Sequence, residues 1–328
     1  MTRSIVLVVI LLTVAVLCVG CREDEMLYLN NGIIKVGVNL DKGGVITYLA
    51  DANHTDVNLI NSADLGRMIQ QSYYSGPQPY GDPPPEWPDW PWNPVGAGDC
   101  NGNPSEVLDY SNDGTTIYVK SIPMQWALNN VPCECTFERW ITLEGNVVKA
   151  RYRLVNNRSD HTEYPAMHQE LPAVYTTDRF HRLFTYTGDR PFTHGPLTQI
   201  ENSGPPWAYF NATEKWAALI DDNNWGLGVY NPRAELFVGG FHGTPGPGDP
   251  EDSSCGYISP LRTEVIRYNT VYEYECYFIL GYLDDIRAYV YQNPPWKLGV
   301  RSLSESDYSV DSASAPVEQP PLGRIGAE

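Results

Sequence analysis

The segment Met167-His168-Gln169-Glu170-Leu171-Pro172 sets an imidazole and a carboxylate two residues apart. Side chains two apart on a strand share a face. His168 and Glu170 are therefore expected side by side towards a cleft, with Met167 and Leu171 on the packed face. A histidine beside a carboxylate suits proton transfer at a glycosidic or anomeric oxygen. Glycoside hydrolysis generally uses a second carboxylate as nucleophile or base. The candidates are Asp99, in Gly96-Ala97-Gly98-Asp99, and Asp222, in Asp221-Asp222-Asn223-Asn224. The second run is also ordinary hairpin-turn chemistry. Phe241-His242-Gly243 opens a Pro/Gly-rich rim loop that brings His242 within reach of such a site, although a lone loop histidine is usually just solvated.

A second cluster supplies recognition rather than proton transfer. Arg67, Gln70, Gln71 and Tyr74 lie in a stretch with strand character, and a proline-rich loop with Trp87, Trp90 and Trp92 follows. Long irregular loops inside a compact domain are usually functional or disordered. Disordered segments are poor in aromatics, so this loop is read as ordered. Tryptophan faces stack on the C–H face of a sugar ring, and Arg and Gln supply planar hydrogen bonds to its hydroxyls. The competing reading makes the tryptophans a cap over the core. Trp126 reads more readily as core than as a further stacking platform.

Other chemistries find no support. There is no glycine-rich phosphate loop, serine nucleophile elbow or HExxH motif. The formal net charge of −18 argues against nucleic acid and anionic membrane surfaces as partners, since both reward Lys and Arg. No metal or other cofactor is expected; the many carboxylates leave a structural Ca²⁺ open, but no ligand loop is legible.

Residues 1–20 hold one Arg and a long apolar run, the pattern of a secretory signal. Leu17-Cys18-Val19-Gly20-Cys21 resembles a lipoprotein cleavage site, and the run also approaches spanning length. Each version expects a domain outside the cytoplasm, secreted or lipid-anchored, touching a membrane only through this end. Residues 21–26 read as a tether, 27–292 as one domain and 293–328 as a disordered tail. Five cysteines lie beyond Cys21, so disulfides are open and at least one thiol stays free.

The elements that must position these residues are strands. Alternating patterns at 26–30, 33–40 and 45–50 are separated by Asn30-Asn31-Gly32 and Asp41-Lys42-Gly43-Gly44. Residues 67–74 form the next strand. Further hairpins turn at Asn112-Asp113-Gly114 and at Glu144-Gly145-Asn146; the second is expected to set Glu138 opposite Arg151 and Thr136 opposite Arg153. Glu138 then has a cross-strand explanation without catalysis. The longest strand, 271–280, reads as central, with Tyr272, Tyr274, Cys276, Phe278 and Leu280 on one face. One helix is predicted over 283–291. The pattern is a large all-β antiparallel sandwich or barrel with one short C-terminal helix.

The order of these features resembles galactose mutarotase-like proteins. The resemblance rests on Gly43-Gly44-Val45-Ile46, on Asn58-Leu59-Ile60, and on Thr263-Glu264-Val265-Ile266 leading into the long strand from Val271. It covers most of residues 27–291 and implies a β-supersandwich that binds carbohydrate on a concave sheet face. Epimerases of that fold use an early arginine, a mid-chain histidine acid and a late glutamate base. Arg67 matches the arginine by order and by its Gly66 neighbour, and His168 matches the histidine by order. The region of the late glutamate reads Ser254-Cys255-Gly256-Tyr257-Ile258-Ser259-Pro260, without a carboxylate, and Glu264 lies further on.

The expectation is a carbohydrate-active enzyme, with glycoside hydrolysis favoured. Glu170 is the acid/base, His168 its partner and Asp99 or Asp222 the second carboxylate. Arg67, Gln70, Gln71, Tyr74, Trp87, Trp90 and Trp92 bind the sugar. A polysaccharide lyase or epimerase is the alternative enzyme, and a non-catalytic glycan-binding surface protein the alternative class.

Overall fold

A computed structural model describes residues 25–299. The expected signal, Cys21 and the chain from 300 onward lie outside the described residues. The opening meander is β1 (Met26–Asn30), β2 (Ile34–Asn39) and β3 (Val45–Asp51). Then come β4 (Ile69–Ser72), β5 (Pro94–Val95), β6 (Glu106–Asn112), β7 (Thr116–Ile122) and β8 (Met124–Gln125). The middle of the chain forms β9 (Cys135–Glu144), β10 (Val147–Asn157), β11 (Met167–Thr177), β12 (Arg182–Thr185) and β13 (Thr198–Ile200). The last strands are β14 (Ala208–Asn211), β15 (Trp216–Ile220), β16 (Trp225–Tyr230), β17 (Leu236–His242), β18 (Cys255–Glu264) and β19 (Asn269–Tyr282). Helix α1 (Leu283–Gln292) follows.

These strands make two antiparallel sheets. The first runs β1-β2-β3-β4-β11-β18-β17-β14, with β5 and β8 branching from β4. The second runs β13-β12-β15-β16-β19-β10-β9-β7-β6, so the longest strand is indeed internal. Period-two alternation drives the stacking: β7 and β9 bury every second residue, such as Ile117, Val119, Phe137 and Ile141. The main core lies between the sheets. A separate cluster on the outside of the second sheet seats Ile286 and Val290 of α1 against Trp216, Ala218 and Ile279. A third cluster covers the outside of the first sheet with Tyr74, Trp90, Trp207 and Tyr257.

β11 therefore has both faces covered, and all its residues but His168 are buried. One extra residue enters it between Glu170 and Val174, relative to both β18 and β4. Pro172 sits in this irregularity, where a missing N–H is tolerated. The shift puts Leu171 and Val174 into the main core, while Ala173 and Tyr175 join Glu170 on the outer face. Met167 joins the outer aromatic cluster and not the main core, contrary to simple alternation.

Three local expectations change. Met68 has φ +72°, which ends the extended run, so the strand starts at Ile69 and not at Arg67. The β9–β10 turn is two residues tighter, so Glu138 faces Arg153 and Trp140 faces Arg151. Glu138 still has its cross-strand partner, with Arg153 Nη1 at 3.1 Å. Finally, order continues past 293. Tyr230 donates to the Asn293 carbonyl, Pro294 and Pro295 are buried, and Trp296 meets Phe192 edge-on at 4.9 Å. Cys100, Cys133, Cys135, Cys255 and Cys276 are all free thiols.

Gly43 closes the turn before β3 at φ +64°, and a Cβ there would stand 2.2 Å from the Gly96 carbonyl oxygen. Both features exclude a side chain. Gly32 also has positive φ but open space around it. Urea denaturation should show Gly43→Ala losing about 2 kcal/mol or more, against about 1 kcal/mol for Gly32→Ala. Equal losses would mean that the close approach to Gly96 carries no weight.

Candidate active site

The outer face of the first sheet holds a cleft of about 70 Å³ whose lining includes Arg67, Ser72, Tyr74, Trp90, Glu170 and Trp207. Glu170 is 4% exposed. Ser72 lies directly across from it on β4 and Leu261 on β18. The Tyr74 hydroxyl donates to Oε2 at 3.0 Å, and the Tyr257 hydroxyl donates to Oε1. Burial pushes the carboxyl pKa up, and the hydroxyls of Ser72, Tyr257 and Tyr74 only partly counter it. Burial first, and then the neighbouring carboxylate, raises both tyrosines well above their usual value, so they remain phenol donors. The result is a carboxyl with a raised pKa in an aromatic, water-poor setting, the kind of environment that suits a general acid.

Aromatic rings wall this acid. Trp126, Trp87, Trp90 and Tyr74 follow one another with centroids 5.7, 5.5 and 6.5 Å apart. On the other side Trp207 lies 5.2 Å from Tyr257, which lies 4.6 Å from Tyr175. The indole N–H groups of Trp87 and Trp207 are buried without a protein partner. A buried N–H without a partner is unfavourable, and a hydroxyl entering the cleft is the kind of acceptor that would satisfy that of Trp207, which lines it.

Arg67 is fixed from three directions. Nε donates to Asp64 at 2.9 Å, and Nη1 donates to Asn61 Oδ1 and to the carbonyls of Asp252 and Ser253, each at 3.1 Å. Nη2 has no such bond among the described residues, and Arg67 borders the cleft. Asp64 lines this cleft and also an adjoining hollow of about 450 Å³ that contains Lys42, Asp99 and Asn101. Trp126 is the other residue common to both. The larger hollow falls within the range of small-molecule sites, roughly 300–1,000 Å³. Among the described residues no group of three His, Cys, Asp or Glu side chains converges as a metal site would require.

The structure thus gathers Arg67, Gln70, Tyr74, Trp90 and Glu170 round one cleft, with Trp87 packed behind Trp90. Gln70 lines it but spends its amide on loop backbone: Nε2 donates to Leu65 and Arg67, and Oε1 accepts from Ala97. His168 shares the face of Glu170 two positions on. Its Nδ1 lies 2.8 Å from the Thr263 hydroxyl, its ring lies 5.7 Å from Tyr209, and burial holds its pKa down.

Other expected residues lie elsewhere. Gln71 points to the opposite side of β4, into the main core, where it donates to the Tyr73 hydroxyl and the Arg153 carbonyl. Trp92 is 1% exposed in that core with Arg158 over its ring. Asp99 lines the outer hollow, but both oxygens bracket its own loop, accepting from Asn101, Asn103 and Asn130. Asp222 is an exposed turn residue of the second sheet beside His181, and His242 bonds the Gly204 carbonyl outside the cleft lining. Sequence reading did not single out Asp64, Ser72, Tyr175, Trp207 or Tyr257 for the site. Tyr175 and Tyr257 carried a visible sign, tyrosine on a mainly apolar strand, whereas Asp64, Ser72 and Trp207 carried none.

No family model matches the chain, and no curated protein matches it in sequence. Solved structures do match. A galactose mutarotase-like protein from Lactobacillus casei is 10% identical, spans 78% of this chain and 100% of its own, and superposes with a TM-score of 0.50. A galactose mutarotase-like protein from Clostridium acetobutylicum is 11% identical over 80% of this chain and 96% of its own, at 0.48. A 4-alpha-glucanotransferase from Thermococcus litoralis is 12% identical over 78% of this chain and 37% of its own, at 0.45. The chain has the galactose mutarotase-like β-supersandwich fold.

The raised Glu170 pKa has a stability consequence. Between the ordinary carboxylate range and the raised folded value, the native state binds more protons than the unfolded chain. Stability from this group is then present at low pH and lost as pH rises through the folded pKa. Relative to wild type, Glu170→Gln should gain thermal stability as pH rises from the ordinary carboxylate range through the raised folded pKa of Glu170, on the order of a few degrees in Tm. A difference in Tm that stays constant with pH would show that Glu170 titrates normally.

Proposed function

We propose that this protein is a carbohydrate-active enzyme whose reaction is glycoside hydrolysis, with Glu170 as the general acid. The reading rests on one observation above the rest: a buried carboxyl held by two phenol donors inside a tryptophan-walled cleft. The aromatic walls suit the apolar face of a sugar ring, and the unpartnered Trp207 indole N–H and Arg67 Nη2 suit its oxygens. The protonated carboxyl of Glu170 donates to the glycosidic oxygen as the C–O bond breaks. The carboxylate that remains is received by Tyr74 and Tyr257. Asp64, the other carboxylate of the lining, serves as the second group and acts on water or on the anomeric carbon. It takes the part that the sequence reading gave to Asp99 or Asp222. His168 supports this face of the sheet from two residues away. The apolar N-terminal run supports action outside the cytoplasm, in secreted or lipid-anchored form.

Arg67 supports a second reading on the same site. A guanidinium at the cleft wall suits the carboxylate of a uronate, as polysaccharide lysis requires, with Tyr74 or His168 as base.

The test is to incubate full-length protein, wild type beside Glu170→Gln and Asp64→Asn, with a panel of oligosaccharides and to weigh the products. Hydrolysis gives fragments that together carry one added water, and Glu170→Gln should slow their release by about 100-fold or more. Products that instead sum to the substrate mass, one of them unsaturated, would establish the lyase. A variant Glu170→Gln with full hydrolytic activity would remove Glu170 from the chemistry. Binding across the panel without turnover would make the protein a glycan-binding module.

A further inference from the structure

The interior between the sheets carries a charge that the proposed chemistry does not use. Arg139 on β9 is 1% exposed. It stands directly opposite Tyr152 on β10, which stands directly opposite Tyr274 on β19. Three polar side chains thus form one rung across three neighbouring strands, about 5 Å between successive Cβ atoms. Tyr152 and Tyr274 stack with centroids 5.1 Å apart and are 1% and 3% exposed. From the facing sheet, Gln71 and Tyr73 enter the same core, linked by Gln71 Nε2 donating to the Tyr73 hydroxyl at 3.1 Å.

The hydrogen bonds at this rung do not close. Arg139 Nη2 donates to the Ser121 hydroxyl at 3.0 Å. Its Nε and Nη1 and the Tyr152 hydroxyl have no protein partner, and the Tyr274 hydroxyl has only a loose approach to Tyr73. Of ten such buried atoms in the described chain, four belong to this rung and a fifth is Gln71 Oε1 on the facing strand. Four are donors and one is only an acceptor. Among the described residues no carboxylate lies within ion-pair distance of Arg139. Burial lowers the guanidinium pKa to about 10, which still leaves it a cation at neutral pH. An isolated buried charge is strongly unfavourable unless it is paired. Bridging waters would satisfy the hydrogen bonds but leave the charge uncompensated.

We infer that the sandwich interior binds a small monoatomic anion of the halide class, held by an unpartnered N–H of Arg139 and by the Tyr152 and Tyr274 hydroxyls. A halide accepts hydrogen bonds from any direction, which suits donors arrayed by a sheet rather than by a loop. The site lies behind the cleft. β4 sends Gln71 towards this side, and Gln70 and Ser72 towards the other. The proposed ligands come from β9, β10 and β19 of the second sheet and face the underside of β4 in the first.

Bromide is the probe. Crystals of the full-length protein grown in sodium bromide should show an anomalous peak within hydrogen-bond distance of the Arg139 guanidinium. In solution at fixed ionic strength, balanced with methanesulfonate, Tm should rise by about 5 °C over a hundredfold increase in bromide. Arg139→Met removes the charge with its need for a counter-ion and should lose the bromide response. Tyr152→Phe keeps the shape of the core and should weaken the response. Density at the rung without anomalous signal, or a wild-type Tm that ignores bromide, overturns the inference.

Discussion

A strand covered on both faces must send each side chain into one of two dry layers, and the rest of this molecule is arranged around that constraint on β11. Its neighbours β4 and β18 hold the backbone, the main core takes Leu171 and Val174, and the outer aromatic layer receives Glu170. A carboxyl in such a layer has no access to bulk water, so its environment must supply donors. Tyr74 and Tyr257 do so from either side. The extra residue after Glu170 is part of this arrangement, because it lets Ala173 and Tyr175 join Glu170 on one face while the apolar pair stays inside.

Three buried ionisable groups show how partner chemistry decides the outcome. Glu214 is also removed from solvent, and burial pushes its pKa up. Arg287, Tyr291 and Trp216 all donate to it, however, and its pKa ends below the usual value. It joins α1 to the second sheet as a charged structural pair. Glu170 has only neutral donors, and its pKa ends above the usual value. Two glutamates in one chain thus have pKa values shifted in opposite directions by their local partners. Arg139 is the third case, with one hydroxyl partner and no carboxylate. The first is a structural ion pair, the second lines the candidate site with its pKa raised, and the third has no carboxylate partner among the described residues.

The proline-rich segment between β4 and β5 turns one composition into two roles. Asn93 fixes its end, donating to Ser72 and Tyr73 and accepting from the Trp90 indole. Tyr80 N–H bonds the Trp90 carbonyl and Ser75 N–H bonds the Trp92 carbonyl, which folds the loop back on itself. Trp90 is thereby committed to the cleft and Trp92 to the core, only two residues apart. Nothing in residue type separates them.

The same division holds across the protein. Strand periodicity, turn residues and the terminal helix were legible because they depend on neighbours along the chain. So was the placement of His168 and Glu170 on one face, since the period of two is local. The order of these elements was enough for the resemblance to a mutarotase-like sandwich. Alternation also separates Gln70 from Gln71, but it does not say which face becomes the cleft. The choice among carboxylates was not legible either. Asp99 accepts from Asn101, Asn103 and Asn130 away from the cleft, while Asp64, itself held by the Gly66 N–H and Arg67 Nε, borders it. The partners that define Glu170 lie 96 and 87 residues away, and those that fix Arg67 lie up to 186 away. Local sequence sets the face on which a side chain stands. Only the pairing of distant strands, and the register at which they meet, determines what faces it.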